Sequence, residues 1–425
     1  MTEDQNRRRE ADKRDRKDPL AGFRSRFYVR PGEIYLDGNS LGLLCLPAEA
    51  ALLQALRDWK YWAIGGWLEA CPPWFFLAEK LAGKMAALVG AHADEVAVAN
   101  STTVNLHQLL ATLFQAQCGR TKVLIDASSF PSDRYAIQSH LRLRGLDPAE
   151  HLKVVPSREG LIFEADLIAA MTDEVALAVL PSVVYTTAQL LDVPALAHAA
   201  RERGVLLGVD CSHSAGVIPH SLSEWGVDFA FWCGYKYLNG GPGAAAALYL
   251  NRRHHGRAPG LAGWFSSRKE RQFEMSGELE PAPDAGALQI GTPPILSMAP
   301  LCGALDIIEG AGVEAIRRKS LELTGYLMEL VDTELSGRGF TMVTPREDKR
   351  RGGHVALLHE DGSRISRALR AEGVVPDFRP PNLLRLAPAP LYTSFADCWE
   401  AVERIRRIVT AGSHQALDQR TGLVP

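Results

Sequence analysis

One lysine lies where covalent chemistry would need it. In FAFWCGYKYLNGGPG (229–243) an apolar run ends at Lys236, between Tyr235 and Tyr237 and ahead of a Gly/Pro turn. Desolvation at the end of a buried strand lowers an ammonium's pKa and frees its lone pair for imine formation. Taken singly, Lys236 is more simply a lysine that meets water where a strand surfaces. Its companions shift that balance. Asp210 and His213 close VLLGVDCSH (205–213), and Phe130 and Asp133 lie in SSFPSD (128–133). Ser182 falls at the end of VALAVLPSV (175–183), with Tyr185 close behind, and Thr102 and Thr103 follow EVAVAN (95–100). Threonines that open a helix cap it by default, but with free N–H groups and the helix dipole they also cradle a phosphate.

These residues are separated by a regular alternation. Seven short apolar or β-branched runs, at 95–100, 122–127, 151–155, 175–183, 205–211, 229–233 and 244–250, are mostly divided by helical periods near 103–116, 132–145, 164–172 and 193–203. The pattern predicts an α/β fold with a seven-stranded, mostly parallel, doubly wound sheet. Ligands of such sheets sit beyond the carboxyl ends of the strands, where the residues above collect. A phosphate cradle, a ring-stacking Phe130, a strand-end aspartate and a strand-end lysine are what pyridoxal phosphate requires: Lys236 for the imine, Asp210 to keep the pyridine nitrogen protonated. Asp210 could instead cap a helix and His213 could be a core histidine. Their convergence at successive strand ends favours the cofactor.

Composition narrows the classes. Hydrophobic residues make up 46% and charged residues 23%, and 47 basic against 50 acidic side chains give a net charge of −3, which suits neither nucleic acid nor a membrane surface. Seven scattered cysteines without a CxxC pair or a Cys/His cluster point to reduced thiols in a cytoplasm and to no metal site. No apolar run is long enough to span a membrane.

Upstream, DGNSLG (37–42), with Asn39 and Ser40 as candidate substrate residues, spells a tight turn whose exposed backbone N–H groups could hold an anion, although plain turns are equally built this way. A helical pattern from Pro47 leads into an aromatic segment, where Trp67, beside Gly65-Gly66, could wall a pocket for an aromatic ligand as well as fill a core. The expected organisation is a disordered charged tail (1–20), an N-terminal segment joining a small domain (21–60), a large cofactor-binding domain (61–310) and a small α/β domain (311–425). In the last, a long helix (313–335) precedes strand 354–359, helix 363–372, strand 383–387 and helix 394–410, and the final dozen residues should fray. Arg385 lies in the second strand.

With these residues in view, the chain resembles the kynureninases, of the aspartate-aminotransferase-like fold type I of pyridoxal-phosphate enzymes. The resemblance rests on YLDGNSLGLL (35–44), ANSTTVNLH (99–107), SSFPSDRYAI (128–137), VDCSHSAG (209–216), WGVDFAFWCGYKYLNGGPG (225–243), GWFS (263–266), GTPPIL (291–296) and RLAPAPLYTSF (385–395). It implies that Lys236 forms the Schiff base, Asp210 pairs with the pyridine nitrogen and Phe130 stacks on the ring, with Asp133 and His213 lining the site. Thr102, Thr103, Ser182 and Tyr235 would contact the phosphate side, Trp264 and Thr292 would reach in from the neighbouring subunit of a homodimer, and Arg385 would grip the substrate carboxylate. It also implies hydrolysis of L-kynurenine to anthranilate and L-alanine. Animal-type members place Asn where Thr292 stands and favour the 3-hydroxylated substrate, so this chain resembles the bacterial form. Tyr235 is a candidate proton relay, for which its phenol would need help to come down from an ordinary pKa of ~10.

Overall fold

The faces of the central sheet follow from the alternation of its side chains. In FAFW, Phe229 and Phe231 enter one core and Ala230 and Trp232 the other, the two-residue period of a strand buried on both sides. The computed structural model describes residues 3–116 and 119–418. Its strands are β1 (Ile34–Leu36), β2 (Val96–Ala99), β3 (Lys122–Asp126), β4 (Leu152–Val155), β5 (Val175–Pro181), β6 (Leu206–Asp210), β7 (Phe229–Trp232), β8 (Ala246–Leu250), β9 (Thr341–Met342), β10 (Val355–Leu358), β11 (Val374–Arg379) and β12 (Leu383–Leu386).

Seven of them form one sheet in the order β2-β8-β7-β6-β5-β3-β4. Only β8 runs against its neighbours, so the other six end on one edge. Helices Thr102–Leu113 and Pro131–Leu143 cover one face; Leu77–Leu88, Val193–Glu202 and Ile295–Ala311 cover the other. A second sheet, β1-β11-β12-β10-β9, carries helices Val313–Glu334, Gly362–Ala371 and Phe395–Ala411 over a core of its own. The segment before the large domain divides: β1 pairs with β11, whereas Cys45 and Ala48, at the start of helix Leu46–Trp62, pack into the large core.

The N-terminus departs from expectation. Residues 1–20 read as a disordered tail, yet Glu3–Lys17 is a helix with Ala11 0% exposed. It has no apolar stripe; ion pairs and caps hold it. The Asp15 carboxylate accepts the backbone N–H groups of Phe395 (2.7 Å) and Ala396 (3.0 Å), capping the last long helix from a remote segment. Asp18 pairs with Lys319 at 2.7 Å, both buried, and the Arg14 guanidinium lies 4.6 Å from the Tyr326 ring centroid. At the other end, the chain stays packed through His414, and the remainder of the expected frayed end lies outside the described residues from position 419. Strand β11 was also not foreseen, because Pro376 inside it and Pro380-Pro381 after it argue against a strand. It lies between β1 and β12, with Pro376 opposite Leu36 across the parallel pairing.

Candidate active site

Lys236 follows β7 in a turn built from backbone contacts. Gly240 donates its N–H to Gly234 O at 2.9 Å, and Asn239 has φ +55°. The DGNSLG turn presses directly on this segment. Gly42 donates its N–H to Tyr235 O at 2.8 Å, and a Cβ at Gly42 would stand 2.4 Å from Lys236 O. Only glycine allows that approach.

The Lys236 amine lies 3.0 Å from Nε2 of His213 and 5.9 Å from the Phe130 ring centroid. Burial, and then the charge of Lys236, holds the His213 imidazole well below its ordinary pKa, so it is neutral. Asp210, partly buried at the end of β6, accepts the N–H of Ser212 at 2.8 Å; desolvation pushes its carboxyl up and Lys236 pulls it down. Asp133 is pushed well up by burial and by Asp210. Two carboxyl groups therefore lie about one lysine. A cation beside Asp210 would balance the charge, and a protonated pyridine ring supplies one.

The ring's other requirements are met nearby. The Asp126 carboxylate accepts Ser128 N–H and Ser129 O–H, each at 2.7 Å, and so sets the turn that presents Phe130. Phe130 is 40% exposed and meets Tyr185 edge-on at 5.3 Å. The Thr102 hydroxyl, first in helix Thr102–Leu113, is buried without a partner, and Ser101 makes no side-chain cap there, so the helix N-terminus keeps free N–H groups suited to a phosphate. Thr103 is held by Ser132 at 2.6 Å. A cavity of about 450 Å³ is lined by Ser101, Thr102, Tyr235 and Thr292. The residues present thus fit pyridoxal phosphate.

Two expected roles meet different surroundings. Ser182 turns its hydroxyl to Nε2 of His220, 3.3 Å away. The Tyr235 phenol is pushed up by burial and by Cys233, the reverse of the shift a proton relay would need. It remains protonated, a donor.

On the substrate side, Arg385 is buried in an ion pair with Asp377 and donates to Tyr185 O at 2.7 Å and to Ser40 Oγ at 3.4 Å. Burial lowers its pKa to about 10. The Asn39 amide is 0% exposed with neither atom partnered. Trp67 instead packs against Trp74 and Phe265, and Trp264, 39% exposed, donates to Thr292 Oγ1 at 3.2 Å. No contact joins these aromatics to Lys236 among the described residues.

Comparison with known proteins is decisive. Residues 316–405 match the family described as the kynureninase C-terminal domain. The kynureninase of Geobacillus thermodenitrificans is 54% identical over 400 residues, 94% of each chain. That of Shouchella clausii is 53% identical over 396 residues, 93% of this chain and 92% of that one. The chain belongs to the kynureninase family.

Kynureninase membership agrees with the fold. A cystine C-S lyase, C-DES, in complex with cysteine persulfide superimposes with a TM-score of 0.77 at 17% identity, covering 88% of this chain and 98% of its own. The cysteine desulfurase of Thermococcus onnurineus NA1 gives 0.76 at 18%, covering 92% and 98%. A further C-DES structure, with the same TM-score of 0.77 and identity of 17%, holds glycine linked covalently to its PLP cofactor. The architecture is fold type I, whose neighbour holds PLP, and the residues at the strand ends here fit the same group.

Several residues beside the candidate site are not among those the sequence pattern points to. Asp126 ends a strand as Asp210 does, and that position was the available signal. His354, fully buried 6.0 Å from the His213 ring, and the pair Asp377 and Arg379 come from the small domain, and no motif marks them.

Proposed function

We infer that this chain hydrolyses L-kynurenine between Cβ and Cγ, releasing anthranilate and L-alanine. The carrying observation is the near-full-length identity to kynureninases. Bound pyridoxal phosphate supplies the electron sink for the carbanion at Cα. Lys236 Nζ takes the proton from Cα, and neutral His213, 3.0 Å away, can share it without adding charge. Asp210 keeps the ring nitrogen protonated, Phe130 packs on the ring, and Thr102 with the helix N-terminus and the protonated Tyr235 binds the phosphate. Arg385 and Asn39 take the substrate carboxylate, for which a planar guanidinium fork is suited.

The partner reading is a homodimer. Support comes from exposed apolar side chains along and beyond helix Leu46–Trp62, among them Trp59, Tyr61 and Ile64, more than a monomer usually leaves in water. Trp264 and Thr292 lie on the surface, where a second copy could receive them, and L-kynurenine is preferred over 3-hydroxykynurenine. Every cysteine among the described residues is unpaired, as a cytoplasmic protein's would be.

The test is direct. Purified protein with pyridoxal phosphate and L-kynurenine should give anthranilate fluorescence with equimolar alanine. A cofactor-binding protein that releases no anthranilate would overturn the assignment.

A further inference from the structure

Arg385 on β12 and Asp377 on β11 are direct partners across the antiparallel pairing. Both are fully buried. Arg379, two residues along β11, lies 3.3 Å from Asp377 and donates to Ser40 Oγ at 3.3 Å, so two guanidinium groups converge on one hydroxyl. Ser40 also lies beside Asp37, whose carboxyl it helps to hold down. Ser40 thus meets two guanidinium groups and a carboxyl group, an organiser of the clamp.

The donors of Arg385 can be counted in the same way. Nε and one N–H of Nη2 go to Asp377, the second N–H of Nη2 to Ser40, and one N–H of Nη1 to Tyr185 O. The side edge of the fork is therefore committed. The free N–H of Nη1, joined by that of Nη2 when the 3.4 Å contact to Ser40 is released, forms the end-on pair that matches a carboxylate. Ser40 remains held by Arg379, and its backbone N–H by Asp37 O at 3.0 Å. The charges agree: Arg379 and Arg385 both pair with Asp377, leaving one net positive charge for one substrate carboxylate.

We propose that Asp377 and Arg379 are positioning residues for the substrate: Asp377 fixes which edge of Arg385 faces the carboxylate, and Arg379 keeps Asp377 and Ser40 in place. The proposal rests on the kynurenine reading and adds to it an oriented, single-carboxylate clamp.

Steady-state kinetics of the holoenzyme test it with Asp377→Asn and Arg379→Met. Asp377→Asn should raise KM for L-kynurenine about ten-fold or more, and the partly exposed Arg379→Met roughly three-fold or more. In both, kcat should stay within about three-fold and the cofactor's visible absorbance should be unchanged. The inhibition constant of L-alanine, which carries the carboxylate, should rise with KM. That of 2-aminoacetophenone, which carries only the aryl ketone, should not. KM values indifferent to both substitutions, or an equal rise for 2-aminoacetophenone, would overturn the proposal. If Asp377→Asn does not fold, Arg379→Met decides alone. A wild-type enzyme without anthranilate release would overturn the assigned reaction itself, whereas turnover with unaltered KM values would overturn only the clamp.

Discussion

The amine of Lys236 and the imidazole of His213 meet at 3.0 Å, and burial keeps the imidazole uncharged. The site thus sets one lysine against two carboxyl groups, Asp210 and Asp133, with no second positive group from the histidine. Lys236→Ala would remove both the proposed covalent anchor and the proposed base. Turnover and the yellow absorbance of the bound cofactor should disappear together, and a variant that keeps normal activity would remove Lys236 from the mechanism.

Arg385→Ala would take away the proposed carboxylate grip and strand Asp377 without its main partner. KM for L-kynurenine should rise by the equivalent of about 2–4 kcal/mol while the cofactor's colour persists. An unchanged KM would show that another cation binds the carboxylate.

His220 supplies a pH prediction outside the chemistry. One ring nitrogen, Nδ1, donates to Ile218 O at 2.7 Å, the other accepts from Ser182, and burial lowers the pKa to about 4. An unfolded histidine takes a proton near 6.5 that this folded one refuses. Stability is therefore complete above pH ~6.5 and falls as the pH drops toward 4, by about 3 kcal/mol for this group. Urea unfolding of wild type and His220→Gln between pH 4 and 7 should show the variant's stability falling less steeply. Parallel pH profiles would exclude His220 as a source of acid sensitivity.

Asp15→Ala removes a remote cap from helix Phe395–Ala411, although Ser394 still caps it locally. A loss of about 1–2 kcal/mol in unfolding free energy is expected. A disordered N-terminus would give no change.

Thr292 accepts from the Trp264 indole. An Asn at this position keeps an acceptor for the indole and adds an N–H₂ that a phenol oxygen can accept. Thr292→Asn should raise the kcat/KM ratio of 3-hydroxykynurenine to kynurenine roughly five-fold, the worth of one hydrogen bond. An unaltered ratio would place specificity elsewhere.

The strand-end residues were legible because each is announced locally. Asp210 and Lys236 close apolar runs of the right length, and a parallel sheet brings such ends to one edge whatever else the chain does. Arg385 was recognisable from its motif, but not its partners. Asp377 and Arg379 share a strand with Pro376, which disguises it, and the contact of Arg379 with Ser40 spans 339 residues of sequence. His354 reaches His213 only because the two domains pack together. The helix Glu3–Lys17 was misread for a different reason: its charges look solvated until the acceptors and cations of a distant domain are present.

That helix also constrains how the molecule is made. Asp15 and Phe395 are 380 positions apart and bond directly. At roughly 5–20 residues per second, a ribosome needs about 20–75 seconds to deliver the second partner after the first. The large sheet, lying between them in the chain, can assemble during synthesis. The opening helix must wait for the last long helix to emerge, so the small domain closes last, and with it the strand that carries Arg385.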